Sequence, residues 1–136
     1  MKTILVGYEE RPLAGRVLER AAELAKLTGA NVVVTSVAHV MHGKGGGPID
    51  PTDPPERHET ELREAAAQLA ALGIEHVTTV VGIGDPAHAI LQAAEENGAD
   101  LIVVGAHDGG AFSRIFSGSV GDTVAHKAHA DVLIVH

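Results

Sequence analysis

Short runs of β-branched and aliphatic residues alternate along this chain with longer segments whose apolar positions recur at helical spacing. No other feature restricts the fold as much. A strand that is apolar at consecutive positions has no polar face to turn to water, so it must be covered on both sides. Thr3–Tyr8 (TILVGY), Asn31–Ala38 (NVVVTSVA), His76–Ile83, Asp100–Gly105 (DLIVVG) and Asp131–Val135 (DVLIV) read as five strands. After the first, Leu13, Val17, Leu18, Ala21, Leu24 and Ala25 recur at helical spacing. Pro12 suits the first helical position there, and Gly29 a left-handed C-cap. Leu62, Ala65, Ala66, Leu69 and Leu72 mark a second helix that ends at Gly73. Asp85 and Pro86 form an N-cap and first-turn proline for a third, in which Ala87, Ile90, Leu91 and Ala94 face one way and Gly98 closes the helix. Val120, Val124 and Ala128 mark the fourth, with Ser119 and Asp122 as a capping box.

The βαβαβαβαβ pattern predicts an α/β fold, an open five-stranded parallel sheet with helices on both faces, in a single domain over residues 1–136. Right-handed crossovers require the strand order to reverse, and order 3-2-1-4-5 puts the reversal between strands 1 and 4. Ligands of such sheets bind at the C-terminal ends of the strands flanking that point, here Gly7–Arg11 and Gly105–Gly118. Residues 39–56 hold the run GKGGG and four prolines between Pro48 and Pro55. This composition predicts a flexible Gly/Pro-rich loop that sustains neither helix nor central strand.

Charge and residue usage narrow the function. Among 136 residues, Lys and Arg number 10 against 18 Asp and Glu, a formal net charge of −8. A nucleic-acid module needs a basic face. Aromatic residues make up 2%, too few for base-stacking platforms. The absence of cysteine excludes disulfides, thiolate catalysis and Cys-based metal sites. The opening MKTILVGYEE is too short for a signal-peptide core, and no run approaches the ~20 apolar residues of a membrane span. The expectation is a soluble cytoplasmic domain without nucleic-acid or membrane partners.

The segment leaving strand 4, GAHDGG, runs through Ala111–Ser117 to Gly118-Ser119-Val120 at the start of the last helix. Two readings fit it. Glycines and helix-start N–H groups make a phosphate cradle, or the glycines merely supply turns in a connector. Gly43-Lys44-Gly45-Gly46-Gly47 lacks the Ser/Thr and the strand–helix context of a Walker loop, and Gly82-Ile83-Gly84 lacks the third glycine of a dinucleotide fingerprint. His126 and His129 are three apart, and His39 and His42 lie close, yet neither pair has a carboxylate in a recognised ligand pattern. The nine histidines therefore read as surface residues, with no metal site, and His107 differs only in lying within the segment that leaves strand 4. Glu10 reads as complementing the first helix dipole. No nucleophile, base or carboxylate pair is assignable, so no catalytic residue is named.

The block GDPAHAILQAAEENGADLIVVGAHDGG, followed by SRIFSGSVGDTVAHKAHADVLIVH, resembles the universal stress protein family, as do KTILVGYEE and VVVTSVAHV. The likeness covers nearly the whole chain outside 39–56. It implies a flavodoxin-like fold, a stress-response or signalling role, and a homodimer, here through strand 5, Asp131–Val135. It also implies binding of ATP or AMP, with or without Mg²⁺, in many members, and at most feeble hydrolysis. The family's Gly-x2-Gly-x9-Gly-Ser/Thr pattern reads here Gly105-x2-Asp108-x9-Gly118-Ser119. Transferred residue by residue, the implied nucleotide contacts are Tyr8, Glu9, Val37, Gly105, Asp108, Gly118, Ser119 and Val120. The backbone of Val37 would meet the adenine, and Glu9 stands where the family usually has aspartate.

Asp108 departs from the pattern. A carboxylate ~5 Å from a phosphate charge at an effective dielectric of ~20 repels it by about 3 kcal/mol. A bridging Mg²⁺ reverses that sign. An outward-facing side chain, or a one-residue slip onto Gly109, removes the conflict. Three functions therefore follow: an adenine-nucleotide-binding dimer, the same fold as a nucleotide-free interaction module, or an enzyme on a small phosphorylated substrate. The third lacks a base or nucleophile.

Overall fold

The computed structural model describes residues 1–9, 13–38, 54–106 and 118–136. Five parallel strands, β1 (Thr3–Gly7), β2 (Asn31–Ala38), β3 (Val77–Ile83), β4 (Leu101–Gly105) and β5 (Asp131–Val135), form one sheet in the order β3-β2-β1-β4-β5. The connecting helices are α1 (Ala14–Thr28), α2 (Pro55–Ala71), α3 (Pro86–Glu96) and α4 (Gly118–Lys127). The predicted strand order and helix cover are both present.

Alternation along the strands sorts side chains into two cores. Ile4 and Val6 of β1 pack with Val17 and Leu18 of α1 and Leu62 and Leu69 of α2. Leu5, between them, joins Ile90 of α3 and Val124 of α4 on the opposite face. All three β1 residues are fully buried, which is why the sequence shows no polar position there. The edge strand β3 is half-exposed along most of its length and carries Thr78 and Thr79 outward.

Helix ends follow local chemistry. Gly29 closes α1 at φ 73°, donating its N–H to Ala25 O. Asp85 caps α3 through its carboxylate, which accepts the His88 N–H at 2.9 Å. Two expectations need correction. Pro55 and Glu56, assigned to the loop, are the first residues of α2. A proline at a helix's first position forfeits no hydrogen bond, and Pro54 before it is extended at φ −72°, ψ 149°, as a residue preceding proline prefers. The fourth helix begins at Gly118, so Ser119 lies inside its first turn and cannot be the N-cap of a Ser119…Asp122 box. Pro12, Glu10 and the remainder of 39–53 lie outside the described residues.

Asp100 ties the starts of the two central strands together. Its carboxylate accepts the backbone N–H groups of Lys2 and, at 3.1 Å, Thr3, while the Asp100 N–H donates to Thr3 O at 2.8 Å. The Lys2 and Thr3 N–H groups hold the Asp100 carboxyl below its ordinary value of 3.8. The unfolded chain therefore takes up this proton first. The stability Asp100 contributes is complete above the ordinary value and is lost as pH falls through the folded one. Urea midpoints measured from neutral pH to about pH 2.5 should drop more steeply for the parent than for Asp100→Asn. Parallel acid limbs in the two proteins would contradict this tie.

Candidate functional site

β1 and β4 are neighbours only as far as Val6, opposite Val103. Beyond that point β1 remains with β2 through Gly7 and Thr35, while β4 continues with β5 through Val104 and Gly105, opposite Ile134 and Val135. The sheet opens into a crevice at its C-terminal edge, lined by Gly7, Tyr8, Glu9, Leu13, Val17 and Gly105. Gly105 is there for a steric reason. A Cβ on it would come within 3.0 Å of Leu13 Cδ2 and 3.4 Å of Val17 Cγ2. Gly7 is similarly confined, 3.1 Å from side-chain atoms of Ile90 and Val104. Small residues at both strand ends let α1 and α3 close against the walls.

The sequence-predicted contacts fall into three groups. Glu9, half-buried, and Gly105 line the crevice together. Tyr8 also lines the crevice and is 3% exposed, packed within the α1/α2 core. The Tyr8 N–H donates to Thr35 O at 2.8 Å. That bond orients β2. Peptide groups alternate sides along a strand, so with Thr35 O turned toward β1, the N–H and C=O of Val37 turn the same way, past the end of β1. The Val37 side chain meanwhile packs in the α3/α4 core. Gly118 and Ser119 supply the first turn of α4, and Val120 buries its side chain against the α3/α4 core. Asp108 lies outside the described residues, as do His107 and the Gly43–Gly47 run.

A polar cluster beside this edge escaped the reading of the sequence. Ser36 of β2 and His58 and Glu61 of α2 are 1%, 6% and 5% exposed. The Ser36 hydroxyl donates to Glu61 Oε2 at 3.2 Å and is hydrogen-bonded to His58 Nδ1. A hydroxyl has one hydrogen to give, so Nδ1–H is the donor to Ser36. His58 Nδ1 also lies 3.3 Å from Glu61 Oε2, and Arg57 Nε 3.4 Å from Oε1. Burial pushes the Glu61 carboxyl up, but His58, the Ser36 hydroxyl and the Arg57 guanidinium together bring it below its ordinary 4.5. Serine and carboxylate share one ring nitrogen, and the serine is sealed from solvent, so this is not a nucleophilic triad. The expectation that the histidines lie at the surface is wrong for His58. The available signal was the spacing of His58 and Glu61, one helical turn apart, ahead of the apolar stripe.

The other titratable groups do not converge. His129 Nδ1 pairs with Glu95 Oε1 at 3.3 Å, with both side chains well exposed. Among the described residues no three His, Asp or Glu side chains could hold a metal, and no helix is long and apolar enough to cross a membrane.

Comparison with known proteins agrees with this architecture. The family model described as the universal stress protein family matches residues 1–136. The universal stress protein in the QAH/OAS sulfhydrylase 3' region of Thermus aquaticus is 33% identical over 134 residues, 98% of each chain. Universal stress protein A homolog 1 of Coxiella burnetii is 31% identical, covering 98% of this chain and 95% of that one. A universal stress protein solved in complex with cAMP superposes with a TM-score of 0.76 at 27% identity, covering 99% of this chain and 96% of the other. The Archaeoglobus fulgidus universal stress protein in complex with dAMP gives 0.74 at 27% identity, covering 100% and 98%. With its whole length matched by the family model and its fold superposing on solved relatives, the chain belongs to the universal stress protein family.

Proposed function

We propose that this protein is a homodimeric stress-response or signalling domain of the cytoplasm that binds an adenine nucleotide at the crevice between β1 and β4. The observation that carries this reading is the direction of the Val37 peptide groups. They turn toward β1 beyond the point where β1 has ended. A strand-edge N–H and C=O side by side match the ring-nitrogen acceptor and exocyclic amino donor of adenine. Glu9, which lines the crevice with Tyr8, would meet the ribose hydroxyls. The N–H groups of Gly118, Ser119 and Val120 at the start of α4 suit the phosphates. Relatives of matching fold bind cAMP and dAMP, so a monophosphate suffices to occupy the equivalent fold. ATP is the extension of that reading, and Asp108 would supply a hard oxygen ligand if Mg²⁺ accompanies it. The protein-side role is binding and orientation, and no residue is assigned a chemical step.

Asp108 favours one second reading. If its carboxylate faces the phosphates without a cation, the crevice disfavours ATP and the fold acts as a nucleotide-free interaction module.

The dimer rests on β5. As the last strand of the sheet it has one edge without a strand partner among the described residues, and Val132, Leu133 and Ile134 remain half-exposed. An open groove of about 720 Å3 beside it is bounded by Leu24, Leu133 and Val135, with Arg16 and Arg20 along α1. Antiparallel pairing of β5 with its twofold copy would satisfy the edge N–H and C=O groups and cover this apolar surface.

Two experiments test these readings. Millimolar AMP, cAMP or Mg²⁺-ATP should raise the thermal midpoint, since ligand at 100 times its Kd adds about 2.7 kcal/mol. Ser119→Ala should weaken binding by about 0.5–1.5 kcal/mol, Gly118→Val should weaken it further, and Asp108→Gly should tighten ATP most and adenosine least unless Mg²⁺ bridges. Midpoints indifferent to all three nucleotides would contradict the binding proposal. Light scattering at tens of micromolar should give twice the 14.0 kDa chain mass, and Leu133→Pro should shift it to monomer or misfolded protein. A monomeric parent would exclude the β5 dimer.

A further inference from the structure

We propose that the buried Ser36–His58–Glu61 cluster is a positioning device for the base-contacting end of β2. The proposal rests on the reading that Val37 contacts the base, and it extends that reading to residues that never touch the ligand.

The last stretch of β2 has lost one of its neighbours. Register with β1 stops at Thr35, opposite Gly7. Among the described residues, Ser36, Val37 and Ala38 have register partners only in β3, opposite Val81, Gly82 and Ile83. β3 is itself an edge strand, and Ile83 at its end is 52% exposed. An edge strand is a weak reference for atoms that must present two hydrogen-bonding groups to a ligand at fixed spacing. The side chains on either side of the Val37 backbone supply the missing constraint. Val37 points into the α3/α4 core. Ser36, one residue earlier and therefore on the other face, is tied to two residues of α2.

The chemistry of the tie explains why it is polar. An apolar residue at 36 would also be buried, but apolar contact is non-directional and tolerates sliding. A hydroxyl that donates to Glu61 and accepts from His58 has one orientation that satisfies all three groups. A slip of β2 by one residue would put Val37 beneath Glu61 and leave a buried carboxylate and imidazole without it, a large penalty at a desolvated site. The cluster therefore fixes both the register of the β2 end and its distance from α2. Ser36, His58 and Glu61 are positioning residues, with the Val37 peptide groups as their output.

Calorimetric titration with AMP and with adenosine at neutral pH tests this in the parent, Ser36→Ala, Glu61→Gln, Ser36→Thr and Leu69→Ala. Leu69 is a fully buried α2 residue outside the cluster, and its truncation lowers stability without touching the tie. Ser36→Ala and Glu61→Gln should weaken AMP and adenosine by the same factor, about tenfold, because the fault lies at the base. Ser36→Thr, which keeps the hydroxyl on a β-branched residue, should restore most of the affinity. Leu69→Ala should bind like the parent while it remains folded. Losses confined to AMP, or equal losses in Leu69→Ala, would overturn the proposal. Hydrogen exchange in the free proteins of the amides at positions 36 and 38, which turn toward β3, separates this failure from failure of the nucleotide reading. Exchange should quicken at those two amides in Ser36→Ala and not in Leu69→Ala. If the parent binds neither ligand yet shows this pattern, the tie stands and the nucleotide reading fails. If exchange at positions 36 and 38 is the same in all variants, the tie itself is refuted.

Discussion

The parting of β1 and β4 after Val6 and Val103 governs everything built on this sheet. Two parallel strands that run side by side must be followed by crossovers to opposite faces if the strand order is to reverse between them. α1 therefore leaves β1 toward one face and α4 leaves β4 toward the other. In such sheets the crevice lies outside the carboxyl ends of the strands at the point of reversal. The small residues Gly7 and Gly105 are consequences of the same geometry. The crevice walls come so close that a Cβ at either position would force Leu13, Ile90 or Val104 to move.

Around that opening the molecule uses backbone more than side chains. Tyr8 and Val120 bury their side chains in the two cores and leave main-chain atoms at the edge. Val37 does the same. A site built this way depends on where strands and helices lie, and so on packing behind the edge. The polar cluster on α2 belongs to that supporting layer. It exchanges apolar packing for directional bonds at the end of β2, beyond its register with β1.

Strand order, helix faces and the location of the crevice were legible because they follow from local pattern. Consecutive apolar residues in β1 and β4 report burial on both faces, and Asp85–Pro86 and Gly29 mark helix ends by their own backbone chemistry. The start of α2 was hidden. Pro54–Pro55 reads as a break in composition, although a proline is favourable at a first helical position. Starting the helix too late removed His58 and Glu61 from view as one face of a helix. Their partner Ser36 lies 22 and 25 positions away, in a run that otherwise looks like plain β-strand. Such a long-range polar match has no local period, so no pattern in the chain announces it. The family resemblance reached the crevice residues but carries nothing about this cluster.

The central claim is that the C-terminal edge between β1, β2 and β4 is the nucleotide site. Backbone amide shifts in a 15N correlation spectrum, followed during titration with AMP, test it residue by residue. The account predicts saturable shifts at Glu9, Val37, Gly105 and the first turn of α4. A second groove lies between α3 and α4, lined by His88, Gly98, Lys127 and His129, and its amides should remain in place. Shifts centred on that groove, or a spectrum unchanged by AMP, would contradict it.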